Sequence, residues 1–343
     1  MKSTPLLAML MLFTTGLFSA DPPSAQISNG QITAKLYLPD QNIGFYRSTR
    51  FDWSGVITSL EYKGHDFYGP WFQRIDPAVY DFNYDDQGVV SAPFTAMVGP
   101  GEEFNTDGTA LGWADAKPGG TFVKIGVGVL RKPDETKYDH SKTYEIVDPG
   151  KWRVTKHRDS IDFTHELNDP SSGYGYIYKK TVRLVSGKPE MVLEHSLKNT
   201  GKNPIKSTVY NHNFLVLDKQ PPSPDVSITF PFEIESPRPP RKELAEIRGK
   251  QIVYLKTLAD KDRATTVVRG FGDSAKDYDI RVENTKVGAG FRVTGDRPLS
   301  NVGFWSIRTV LAVEPYIAMS VEPGSDFSWN LTYDYYTLPS SAK

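Results

Sequence analysis

The chain has 343 residues, 40 basic and 41 acidic side chains, a formal net charge of −1 and no cysteine. Near-balanced charge gives no electrostatic reason to expect nucleic acid or an anionic membrane as partner. The length suffices for one large or two medium domains, and with no thiol available, stability has to come from a large apolar core rather than from disulfides.

The N-terminus, MKSTPLLAMLMLFTTGLFSA, has a lysine at position 2, an apolar run from Leu6 to Phe18, then small residues. That run is too short for a bilayer span and reads as a secretory signal peptide over 1–20, cleaved near Ala20. A periplasmic or secreted bacterial protein is expected, free of the membrane after cleavage. The single Asn-x-Thr sequon, at Asn330, would matter only in a eukaryote.

Beyond it, short runs rich in Val, Ile, Thr, Tyr and Phe alternate with Gly, Pro, Asn and Asp, as in sandwiches and barrels. QITAKLYLP, FVKIGVGVL, KKTVRLV, EMVLEHSLKNT, KSTVYNHNFLVLD, KQIVYLKTL, TVLAVEP and SWNLTYDYY each predict a strand. They spread over nearly all of 21–343, which predicts a single all-β domain. Two stacked sheets would bury the apolar side of each strand and leave a concave face for a ligand. The proline-rich stretch Lys219 to Glu243 predicts a long surface excursion ending in loops or edge strand, because proline cannot donate to a ladder.

Three early segments carry charge. In FYRSTRFDWSGVI, strand alternation would put Arg50 on the same face as Asp52, as a ligand clamp or as a structural ion pair. DFNYDDQG, Asp81 to Gly88, matches a calcium loop at its first, third and fifth positions. It has Asp86 where the turn needs glycine and Ala92 where a bidentate glutamate belongs, so it reads as an acidic loop, with an irregular calcium site as the alternative. In GPGEEF, Glu102 and Glu103 are adjacent and point oppositely on a strand, which makes no carboxylate dyad. No phosphate-binding glycine loop, Ser-His-Asp elbow or metal-spaced histidine pair occurs, and no metal or cofactor is expected.

The stretch STVYNHNFLVLD, Ser207 to Asp218, puts a histidine between two asparagines inside an apolar strand. With a two-residue period, Thr208, Tyr210, His212, Phe214 and Val216 share one face, and Val209, Asn211, Asn213, Leu215 and Leu217 the other. An imidazole flanked by aromatic rings suits a sugar, whose C–H surface stacks on rings while its oxygens need polar partners. A satisfied core histidine is the alternative. In TVLAVEP, Val310, Ala312 and Glu314 share a face, and a carboxyl buried there would have its pKa raised toward general-base values. A strand-end glutamate facing water is the alternative, and Pro315 is expected to end ladder pairing.

EMVLEHSLKNTGKNPIKSTVYNHNFLVLD resembles the central segment of the galactose mutarotase (aldose 1-epimerase) superfamily: a strand ending in N-T-G, a proline loop, then a histidine strand. NVGFWSIRTVLAVEPYI and VEPGSDFSWNLTYDY resemble its C-terminal segment, where a tryptophan strand containing Trp305 precedes a strand ending in x-E-P. The resemblance covers roughly a third of the chain and implies a large two-sheet β-sandwich, the galactose mutarotase-like supersandwich, with a sugar across one concave face. It maps the family's general acid onto His212 and its general base onto Glu314, with Tyr210, Phe214 and Trp305 around the sugar. The family's first-half histidine has no counterpart in LGWADAKPGGTFVKIGVGVLRKPD, where Lys117 and Pro118 precede Gly119 and Gly120. His140 or Lys124 would substitute for it in space, and Arg50 or Arg47 would be the family's arginine.

The function so implied is exchange of the anomers of a hexose or sugar end-group, by an isomerase whose partner is carbohydrate. A carbohydrate-binding protein without turnover is the alternative from another class, which the missing histidine favours. A polysaccharide lyase or glycosidase on a related sandwich is a further one.

Overall fold

In the computed structural model, residues 21–339 are described, and the predicted leader lies outside them. Nearly every element is a β-strand, and two sheets dominate. The larger is ten-stranded and antiparallel throughout, centred on Tyr174–Leu184, Glu190–Asn199, Asp326–Thr337 and Ala289–Gly295. The smaller has five strands in the order Arg263–Val268, Asn301–Ile307, Val310–Val321, Ile205–Phe214 and Gly99–Asn105. This is the expected β-sandwich.

Alternation decides what each face of the five-stranded sheet does. Val209, Leu215, Val302, Phe304, Val313 and Ile317 join Tyr178, Leu193, Leu331 and Tyr333 of the ten-stranded sheet in one large core. The opposite face packs Phe214, Trp305, Val310 and Ala312 against a second cluster from the loop-rich stretch before residue 150, including Phe51, Trp71 and Met97. That stretch forms the walls above the concave face.

Three strand readings change in detail. FVKIGVGVL is a hairpin, Thr121–Lys124 paired with Gly128–Arg131, because the chain turns at Gly126, whose φ of +77° favours glycine. The proline-rich excursion contributes Val226–Thr229 as an inner strand of the large sheet, paired on both sides, with its prolines confined to the flanks. TVLAVEP does not stop at its proline; the strand runs on to Val321.

Candidate active site

Pro315 nevertheless marks the ladder. Regular pairing between Ile205–Phe214 and Val310–Val321 extends to Tyr210 opposite Tyr316, lapses, and returns as a bridge between Leu215 and Leu311. Counted through the gap, Asn211 stands opposite Pro315, which has no N–H to donate, and His212 stands opposite Glu314. Asn213 spans the lapse: its side-chain amide donates to the Val313 carbonyl at 2.9 Å and its oxygen accepts from the Tyr333 hydroxyl at 2.8 Å. The two kinds of polar residue in N-H-N thus separate, the histidine to the concave face and Asn213 to the space between the sheets.

On the concave face the Nε2 of His212 lies 3.1 Å from Oε1 of Glu314. The imidazole stacks on Phe214 at a centroid distance of 3.8 Å and meets the edges of Phe51 and Trp305. This apolar enclosure sets both protonation states. Burial raises the Glu314 carboxyl to about 7 against an opposing pull from Arg50. Burial, helped by Arg50, pushes His212 well below its ordinary value, and its buried Nδ1 has no hydrogen-bonding partner among the described residues.

Behind the pair stands a second acid. Glu103 accepts from Arg50 Nε at 2.8 Å, from Lys124 Nζ at 3.0 Å and from the Tyr210 hydroxyl, while Arg50 also donates to Tyr210 at 2.9 Å. Desolvation alone would raise Glu103; the Lys124 and Arg50 charges outweigh it and hold the carboxyl at about 2. Tyr210 stacks on Tyr316 at 4.1 Å, and the Tyr316 hydroxyl lies 3.5 Å from Glu314 Oε2. A cavity of about 310 Å³ opens over this arrangement, lined by Arg50, His140, His212, Phe214, Trp305 and Glu314 among others.

Six of the eight residues singled out from sequence therefore meet at one cavity, and two stand elsewhere. Lys124 is 1% exposed and tied to Glu103, and Tyr210 is 3% exposed with its hydroxyl turned to Arg50 and Glu103, so both support the site from behind the cavity wall. The Arg50–Asp52 pairing is also not formed. Residues 50–54 make bends and turns rather than a strand, so alternation does not apply; Arg50 takes Glu103, and Asp52 turns to Ser54 and Tyr178. Lys117, Gly119 and Gly120 line a separate surface cavity, whereas His140 reaches the concave one. Asp81 and Phe82, from the acidic segment, also line it, and the rest of that segment forms a hairpin in which Asp85 pairs with Arg74.

Sequence reasoning missed Asp81, Arg263, Phe51 and Trp71 in this wall and Glu103 behind it. Glu103 lies in a strand buried at both Glu102 and Glu103, so no alternation of buried and exposed positions marks it. Arg263 opens an outer strand of the five-stranded sheet, and Asp81, Phe51 and Trp71 arrive on irregular segments with no periodicity to read.

Gly303 pairs with Glu314 across the neighbouring strands, and a β-carbon on it would stand 2.8 Å from Glu314 Oε2. Gly303→Ala is expected to displace the carboxylate, lowering any turnover about tenfold or more while leaving the melting temperature within a few degrees of wild type. Steady-state kinetics beside a thermal melt check both.

No protein-family model and no curated protein matches the sequence. Solved structures do match. A galactose mutarotase related enzyme from Lactobacillus acidophilus aligns with a TM-score of 0.54 at 12% identity, covering 93% of this chain and 99% of that one. The GalM/aldose epimerase homologue from C. elegans aligns with a TM-score of 0.50 at 15% identity, covering 92% and 99%. A galactose mutarotase-like protein from Lactobacillus casei gives 0.51 at 11%, covering 91% and 100%. The stacked sheets and these alignments agree that the chain has the galactose mutarotase-like β-sandwich fold, in a divergent form.

Proposed function

We propose that this protein exchanges the anomers of a hexose or a sugar end-group by proton transfer, using Glu314 and His212. The observation that carries the reading is the 3.1 Å approach of a carboxyl raised to about 7 and an imidazole held neutral, on the floor of a sugar-sized cavity. Ring opening removes the proton from O1 and adds one to the ring oxygen, giving the open-chain aldehyde. Rotation about C1–C2 presents the other face, and closure reverses both transfers. The reaction therefore needs one acceptor and one donor together.

Glu314 is the acceptor at O1, because a carboxylate with a pKa of about 7 is matched to neutral solution. His212 is the donor to the ring oxygen. Its depressed pKa makes the imidazolium a strong acid, and the proton it needs crosses from Glu314 over 3.1 Å. Below about pH 7 the pair holds one proton between its members, and its titration belongs to the two together. Glu103, through Arg50 and Tyr210, fixes the wall of the cavity, and Trp305 and Phe214 offer the ring faces that a sugar's C–H surface packs against.

The test is polarimetry of a freshly dissolved aldose: the purified protein should speed the approach to anomeric equilibrium. Its kcat/KM, corrected for the spontaneous rate, is expected to be bell-shaped in pH. The rate falls as pH rises through about 7, where the pair loses its only proton. It falls again in acid well below the ordinary histidine range, where His212 gains a second proton and no acceptor remains. A rate that climbs steadily from pH 6 to 9 would contradict the shared proton. We also propose export, on the strength of the apolar leader over 1–20; N-terminal sequencing of the mature chain tests it.

A further inference from the structure

We propose that the substrate carries a second sugar unit, joined at position 2 of the reacting ring, and that this unit lies over Gly303. This rests on the anomer-exchange reading, with Glu314 at O1 and His212 at the ring oxygen.

The register of the five-stranded sheet places Gly101, His212, Glu314 and Gly303 in one row across four strands. The row on one side carries Phe214 and Trp305 with Ala312 between them, and the row on the other carries Tyr210 and Tyr316. The fifth strand continues the row beyond Gly303 with Val267, so the row is the floor of a trough with its two glycines on either side of the His212–Glu314 pair. Its two ends differ. At Gly101, the Met97 side chain occupies the place a β-carbon would take. At Gly303 the trough continues into a second cavity of about 350 Å³, comparable to the first at about 310 Å³. Glu314 and Trp305 line both cavities, so the carboxylate stands at their junction, one oxygen toward His212 and the other over Gly303.

The chemistry of the ring gives this trough a direction. O2 is the neighbour of O1, the C6 branch is the neighbour of the ring oxygen, O4 lies across the ring from C1, and O3 lies across it from the ring oxygen. A ring seated with its ring oxygen over His212 and O1 over Glu314 sends O2 toward Gly303 and C6 toward the end closed by Met97. The second cavity is large enough for another ring and offers what a sugar needs: the Thr265 hydroxyl, the Asn301 amide and the flank of Trp305. Thr265 is exposed and pairs with Trp305, so its side chain stands at the rim of this space.

Calorimetric titration of the purified chain tests this with glucose, galactose and mannose, and with the 1→2-, 1→4- and 1→6-linked disaccharides that carry each at the reducing end. A 1→2-linked disaccharide is expected to bind about tenfold or more tighter than its reducing-end hexose, and the other linkages no tighter than that hexose. Thr265→Trp, filling the second cavity, should bring the ratio of the two affinities to about one. The proposal is overturned if 1→2 linkage brings no gain in the wild type, or if 1→4 or 1→6 linkage brings the same gain. Hexose binding without a linkage preference defeats this inference and leaves anomer exchange standing. Absence of binding by every sugar defeats both.

Discussion

Glu314→Gln is expected to lower the rate of anomer exchange by about two orders of magnitude or more, the usual range for a positioned proton-transfer group. Glutamine keeps the shape of the side chain but cannot accept the O1 proton, so sugar binding should persist while kcat collapses. His212→Ala should cost a similar factor, because on the proposed mechanism it removes the donor to the ring oxygen. If the two side chains, 3.1 Å apart, act as one proton-sharing unit, the double variant should be little slower than either single one. Polarimetric kcat for the four proteins, beside circular dichroism to establish folding, makes the check. Turnover that survives intact in both single variants would remove the pair from the chemistry.

The largest expected effect on stability lies on the other face of the Gly99–Asn105 strand, at Glu102. This carboxylate is 1% exposed; it lies 2.8 Å from Lys180 Nζ and 2.8 Å from His195 Nε2, and accepts from the Tyr178 hydroxyl at 3.0 Å. Desolvation would raise its pKa, but the His195 and Lys180 charges outweigh that and hold it far below the carboxylate range. Asp52 lies farther from Lys180, at 3.7 Å, and is pushed up to about 6, chiefly by burial, so Glu102 is the closer counter-charge of the buried lysine. Glu102→Ala removes that closer partner and leaves only Asp52 beside the lysine, and is expected to cost about 3–5 kcal/mol in urea unfolding at neutral pH. Removing both charges, as Glu102→Met with Lys180→Met, should restore most of the loss, because an apolar pair has no desolvation penalty to offset. If Glu102→Ala unfolds at the wild-type urea midpoint, the buried network contributes nothing.

Glu102 and Glu103 show how local sequence order and long-range packing divide the work. Their opposite orientations follow from the two-residue period alone. Which of them turns toward the side of the cavity follows from which sheet lies behind the strand, and that is set by partners as far as 107 residues away, such as Tyr210 and Lys180. Arg50 makes the same point from a miss. Alternation assigned it to Asp52, but bends at residues 50–54 cancel the period, and Glu103, 53 residues on, takes the guanidinium.

Short-range patterning alone made the chain all-β and set His212 on one face with Tyr210 and Phe214, and Glu314 on one face with Val310 and Ala312. Both follow because a pleated strand sends alternate side chains to opposite faces whatever surrounds it. That these two side chains stand opposite one another, that His140 rather than the Gly119–Gly120 turn reaches the cavity, and that Gly303 opens it on one side all depend on how the sheets pack. Register between strands a hundred residues apart is settled by the packing of two whole sheets and by the missing N–H of one proline. Loop residues such as Asp81 and Phe51 carry no periodic signal at all, so their place in the wall exists only once the sheets beneath them have formed.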